Sequence, residues 1–107
     1  MDNATDTLFT ALADPTRRAL FERLCRDGSQ TVGGLTAGAG VSQPAVSKHL
    51  AVLKRAGLVE DRVSGRQSYY SVRRQALDPL VTWARQMEAF WQMRFDALDD
   101  LLNRMDQ

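Results

Sequence analysis

Cysteine and histidine are nearly absent: the 107 residues hold one of each. A lone thiol closes no disulfide within the chain, and the expected compartment is the reducing cytoplasm. One Cys and one His also fall short of the three or four N or S ligands of a zinc site. No apolar run approaches the ~20 residues that span a bilayer. The opening, MDNATDT, is acidic and polar, so neither a signal nor a transit peptide is expected. With a single histidine there is no nucleophile–base pair, and no cofactor fingerprint is found, so neither catalysis nor a cofactor is expected.

A net charge of either sign is missing too, since the formal total is +1. The charges are nevertheless sorted along the chain. Residues 42–74 hold seven basic and two acidic groups, net +5, between a net −1 stretch (1–41) and a net −3 stretch (75–107). This pattern implies one localised surface facing a polyanion. An apolar share of 44% and a charged share of 25% suit one globular domain over residues 1–107.

The basic segment opens with SQPAVSKHLAVLKRAG, Ser42–Gly57. Ser42 is a good N-cap, Pro44 sits in the first turn where its missing N–H costs little, and Gly57 stands where a helix-ending glycine should. Val46, Leu50 and Leu53 recur at i, i+4 and i+7 as one apolar stripe. At about 100° per residue, Pro44, Ser47, Lys48, Ala51 and Arg55 point broadly the other way. That face is slim, basic and rich in donors, as a helix entering a DNA major groove must be. An ordinary amphipathic surface helix is the competing reading of this stretch alone.

The neighbours decide between them. Thr7–Ala13 reads as a short helix with Leu8, Phe9 and Leu12 apolar. Asp14-Pro15 caps and starts a second helix, Thr16–Arg26, with Ala19, Leu20, Leu24 and Cys25 near one side; Gly28 ends it. On that apolar side Cys25 is expected to be a buried, inert thiol. Thr31–Gly40 contains four glycines, yet its position asks for a short helix, expected around Val32–Ala37 and anchored by Val32 and Leu35. A phosphate-cradling loop is the alternative there, disfavoured because no Lys-Ser/Thr follows and no strand precedes. Helix, glycine turn and second helix form the helix-turn-helix pattern.

After Gly57 the period changes. Leu58–Val63 and Gln67–Val72 read as strands of a β-hairpin joined by Ser64-Gly65-Arg66. Arg62 and Arg66 lie at or near its tip. A hairpin after a helix-turn-helix is a wing, and its arginines can reach phosphates or a narrow minor groove. Otherwise they would only keep an exposed edge soluble.

From Asp78-Pro79, read as a second cap-then-proline start, nothing breaks a helix before Met105. Leu80, Ala84, Met87, Trp91, Phe95, Leu98, Leu102 and Met105 follow at spacings of three or four, with Trp83, Phe90 and Leu101 widening the stripe. Such a helix is roughly 40 Å long, against a radius of gyration of ~13 Å for a compact domain of this size. A second copy is the expected cover, joined through residues 6–13 and 79–105 in a two-fold homodimer. Leu8, Leu12, Leu80, Trp83, Met87, Phe90, Trp91, Phe95 and Leu98 are the expected interface. A cofactor-binding stripe is the other reading of these aromatics. The acidic polar side (Asp96, Asp99, Asp100, Asp106) argues against a membrane-surface helix.

Together these pieces predict a mainly α chain with a small β-hairpin: four helices, two strands and a long fifth helix. In that order ALADPTRRALFERL (Ala11–Leu24), VSQPAVSKHLAVLKRAGLV (Val41–Val59) and GRQSYYSV (Gly65–Val72) resemble the winged-helix repressors of the ArsR/SmtB family over nearly the whole chain. The resemblance implies a homodimer that occupies a palindromic operator and represses its own or a neighbouring operon. It implies DNA contacts by Ser42, Gln43, Ser47, Lys48 and His49 and by wing residues Arg62 and Arg66. The residues themselves support most of these: Gln43 can bond bidentately to adenine, and Lys48 and Arg55 can hold phosphate or guanine. His49 lies toward the flank of the apolar stripe, which suits a core edge or a phosphate better than a base.

The family's metal sites use paired cysteines in the first helix of the helix-turn-helix, or His/Asp pairs on the terminal helix. Here Thr31–Gly40 has no Cys, and Pro79–Met105 has neither Cys nor His. The sequence therefore resembles a metal-independent branch, whose effector, if any, it does not name. Two further functional classes are a winged-helix protein-interaction module, which would need an acidic or apolar recognition face, and a redox regulator using Cys25 between subunits.

Overall fold

The computed structural model describes residues 3–106. Met1 and Asp2 of the polar start, and Gln107, lie outside the described residues. The elements are α1 (Asn3–Ala13), α2 (Pro15–Asp27), β1 (Gln30–Thr31), α3 (Val32–Thr36), α4 (Gln43–Arg55), β2 (Val59–Ser64), β3 (Gln67–Val72) and α5 (Asp78–Met105). Residues 1–77 form one compact unit and residues 78–107 a second.

The DPTRR sequence builds the α1–α2 corner. Asp14 adopts an extended backbone, and its carboxylate accepts from the Arg17 N–H at 3.0 Å, with Pro15 in the first turn. That N–H holds the Asp14 carboxyl below its ordinary range. Arg17 and Arg18 then reach back to the carbonyls that end α1. Arg17 Nε donates to Ala11 O at 2.7 Å, and Arg18 Nη1 donates to Leu12 O at 2.9 Å. Carbonyls left open by the helix end are thus satisfied by side chains.

The core lies in the first unit. Leu20, Leu24, Leu35, Val46, Leu50, Leu53, Leu58 and Val59 are all essentially inaccessible. Each buried side chain of this size contributes roughly 1.5–3 kcal/mol. The buried arc of α2 is Leu20, Phe21 and Leu24. This corrects the expected arc: Ala19 and Cys25 are exposed. At about 100° per residue the buried arc runs from Leu20 through Leu24 to Phe21, with Cys25 about 40° beyond Phe21 and Ala19 about 100° before Leu20. The exposed Cys25 thiol is still pushed up by partial burial and by the Glu22 carboxylate, which makes it a poorer nucleophile.

Helix α3 forms at Val32 as expected, with Thr31 as N-cap accepting from Gly34 N at 3.0 Å. A strand does precede it, contrary to the sequence reading. Gln30 and Thr31 pair with Tyr70 and Tyr69, giving a three-stranded antiparallel sheet in the order β1-β3-β2. Two residues are too few to show a period, and β1 exists because β3 has an edge to be paired. The hairpin register runs from Val59↔Val72 to Ser64↔Gln67. Its loop is therefore Gly65-Arg66 only, with Gly65 at φ 63°, the position where a two-residue hairpin needs glycine.

Helix α4 ends in a Schellman motif. Gly57 takes φ 81°, its N–H donates to Lys54 O, and the Leu58 N–H donates to Leu53 O, both at 3.0 Å. Leu58 follows as a buried plug, outside the strand in which it was expected.

In the second unit α5 is a continuous helix of 28 residues. Asp78 is its first helical residue, not a cap outside it. None of its residues is buried; Trp83, Met87, Phe90, Trp91, Phe95 and Leu98 are exposed, and Leu80 is half-buried. Trp91 and Phe95 meet edge to face with ring centres 5.2 Å apart. No helix among the described residues is long and apolar enough to cross a membrane.

Candidate nucleic-acid interface

Helix α4 presents two faces of different chemistry. Val46, Leu50 and Leu53 have no accessible surface, while Ser42, Gln43, Pro44, Ser47, Lys48, Ala51 and Arg55 are exposed. The open face has no acid on it. The Ser42 hydroxyl accepts from Ala45 N at 3.3 Å, so it is committed first to capping. Gln43, Ser47 and Lys48 stand on the first turns, where the N-terminus of a groove-bound helix meets base edges.

Two expected members lie elsewhere. His49 is half-buried and close enough to Asp14 to help hold that carboxyl ionised. It lies near Asp14, the N-cap of α2, and its partial burial fits the core edge expected from the stripe's flank. Arg55 is at the opposite end of α4, about 18 Å from Gln43 at 1.5 Å per residue. There it lines an open cavity of about 320 Å³ with Asp6, Thr10 and Val52.

The hairpin supplies the second set of cations. Arg62, on β2 opposite Tyr69, and Arg66, in the two-residue loop, are both exposed. An ion pair joins helix to wing: Lys54 Nζ lies 2.8 Å from Asp61 Oδ1. The hydrogen bond to Asp61 raises the Lys54 ammonium above its ordinary value, and the same bond holds the Asp61 carboxyl below the usual range. The sequence reading passed over this pair because Lys54 and Asp61 are seven apart across a helix end. It also passed over Arg23, whose guanidinium reaches the α3 backbone.

Among the described residues no group of three or more His, Cys, Asp or Glu side chains is placed to hold a metal ion. On α1, Leu8 is buried by its own chain, whereas Phe9 is exposed and Leu12 half-buried. Leu8 thus gives a partner less surface than expected.

A short helix, a glycine turn, a second helix with an open donor-rich face and an arginine-tipped hairpin define a winged helix-turn-helix DNA-binding protein. Residues 12–62 match the family described as a helix-turn-helix domain. The HTH-type transcriptional regulator Rv2034 of Mycobacterium tuberculosis is 46% identical over 88 residues, covering 80% of this chain and 77% of that one. The transcriptional repressor SdpR of Bacillus subtilis is 33% identical, over 73% of this chain and 86% of its own. An ArsR-like transcriptional regulator from Rhodococcus sp. RHA1 superposes with a TM-score of 0.77 at 30% identity, over 92% of each chain. The chain belongs to the ArsR/SmtB family and is a DNA-binding transcriptional regulator. The proteins it resembles are regulators, not enzymes.

Proposed function

We propose that two copies of this chain join through their α5 helices and occupy a palindromic operator, where they repress transcription of their own or a neighbouring operon in the cytoplasm. The observation that carries this reading is the open, acid-free face of α4 beside the arginines of the wing, within the one stretch of net +5. Gln43 and Ser47 read base edges, Lys48 and Arg55 hold phosphate, and Ser42 sets the helix start. Arg62 and Arg66 reach the backbone or the adjacent minor groove. His49 acts from the α2 side as a phosphate or packing contact. Two-fold symmetry puts the half-sites about one helical turn, roughly 34 Å, apart. An acidic or apolar recognition face, which a protein-interaction module would need, is not what α4 presents.

Fluorescence titration of a footprinted operator at two salt concentrations tests the assignment. Arg66→Ala should weaken binding to all duplexes and lower the salt slope by about one phosphate contact. An unchanged slope would remove the wing from the interface. Operator occupancy should be the same before and after chelation, because the reading includes no metal site. A chelator that releases the protein from DNA would overturn that part.

A further inference from the structure

Helix α3 and the turn after it have little of their own to hold them. The helix is five residues, VGGLT, and Leu35 is its buried residue. Gly38 and Gly40 in the turn take φ 79° and 75°. An open cavity of about 200 Å³ is lined by Thr16, Ala19, Leu20 and Arg23 of α2 and by Gly38 and Ala39 of the turn. One side chain crosses from α2. Arg23 Nη1 donates to Leu35 O at 2.7 Å and to Ala37 O at 3.1 Å, and Nη2 donates to Gly34 O at 3.1 Å.

Two of these carbonyls belong to the last turn of α3, where no intrahelical donor remains. The third, Ala37 O, lies beyond the helix on the path to Ser42. A planar guanidinium can serve three diverging acceptors at once; an ammonium is a point charge on a flexible stem and does not hold that fork. Arg23 stands three residues after Leu20 and one before Leu24, both buried, so its base is fixed in the core of the first unit. Three of its five N–H donors are given to backbone carbonyls.

We propose that Arg23 is a positioning residue for DNA recognition: it clamps α3 and the glycine turn to α2, and so fixes how the first turns of α4 are offered to the groove. The proposal rests on α4 being the helix that reads sequence. Sequence is read by hydrogen bonds to base edges, whereas phosphate contacts are offered alike by every duplex and carry no sequence information. Loosening the turn should therefore cost specificity and spare general DNA affinity.

The test compares wild type, Arg23→Met and Arg23→Lys on two duplexes, one selected by the wild-type protein from a randomised library and one of unrelated sequence. Each titration is run at several salt concentrations, with folding checked by circular dichroism. Arg23→Met keeps the stem without its donors. It should lose about tenfold on the selected duplex and keep its affinity for the unrelated one, with the salt slope unchanged. Arg23→Lys should recover only part of the ratio. Amide exchange at Ala37 and Ala39 should quicken in both variants. A ratio equal to wild type in Arg23→Met overturns the clamp. Uniform weakening on both duplexes with a shallower salt slope also overturns it, because Arg23 would then be touching phosphate. If Arg23→Met does not fold, Arg23→Lys decides alone, and full wild-type discrimination by that variant sinks the proposal. Wild-type protein that does not discriminate at all would instead overturn the reading of α4 on which the clamp depends.

Discussion

Ser42 and Gln43 are neighbours on the same exposed helix start, yet they answer to different physics. Ser42 Oγ satisfies an N–H of the first turn, so Ser42→Ala should cost about 0.5–2 kcal/mol of stability. Its folded fraction should still tell the operator from unrelated DNA. Among the described residues no hydrogen bond engages the exposed Gln43 side chain, so Gln43→Ala should leave the stability within about 0.5 kcal/mol of wild type. It should, however, lose roughly 1–3 kcal/mol of discrimination at one base pair. Thermal melts and paired operator titrations separate the two effects. If Gln43→Ala keeps full discrimination, Gln43 reads no base. The same contrast shows what single residues reveal in the sequence. A cap is legible because Ser, Pro and Gly act on their own backbone. The Arg23 clamp is not, because its acceptors lie eleven to fourteen positions away and are backbone carbonyls that any residue carries.

Elements with strong local punctuation were legible from the sequence: α4 between Ser42 and Gly57, and the hairpin around Gly65. β1 was not, since its two residues carry no period of their own and take their conformation from β3. The inward face of α2 was misread at its rim, where only about 40° around the helix separates buried Phe21 from exposed Cys25. Between α4 and β2 the Lys54–Asp61 pair links the reading helix to the wing, and its pH dependence has a definite sign. Asp61 titrates below its ordinary range in the folded chain. Its contribution is present above that range and is lost as pH falls through the lowered value. Lys54 titrates above its ordinary value. Its contribution is complete below that value and is lost as pH rises through the raised one. Asp61→Asn should therefore differ most from wild type between roughly pH 5 and 10, with the two melting curves converging at both extremes. Both partners are substantially solvated, so added salt should shrink the gap. A melting difference that persists unchanged once the pH lies well below the lowered Asp61 value would mean that Asn disturbs packing, and that the ion pair is not its cause.

Considered as a whole, the molecule has an unsolved burial problem in α5. Trp83, Met87, Trp91, Phe95, Leu98, Leu102 and Met105 follow one another at spacings of three and four, and each keeps well over a third of its surface accessible. Isolated helices gain little from their own hydrogen bonds in water, and most helical stability comes from packing an apolar face. A row of three aromatic side chains, two leucines and two methionines, left wet, opposes the fold unless something covers it. A second copy of the same stripe would meet it with matching chemistry and close after one pairing. At 12.0 kDa per chain, sedimentation of the wild type at low micromolar concentration should give about twice that mass, the arithmetic of a C2 dimer. Replacing Trp91 and Phe95 together by Glu puts two charges into the middle of the stripe and should return the mass to that of one chain. DNA binding should fall with it. Linking two half-site contacts makes the second intramolecular, a gain of roughly 10²–10⁴ that a single chain forfeits. Its salt slope should also drop to about half, because half the phosphates are engaged. A wild type that sediments as one chain, or a double variant that stays paired and binds the operator as before, would move dimerisation off α5 and undo the palindrome inferred from it.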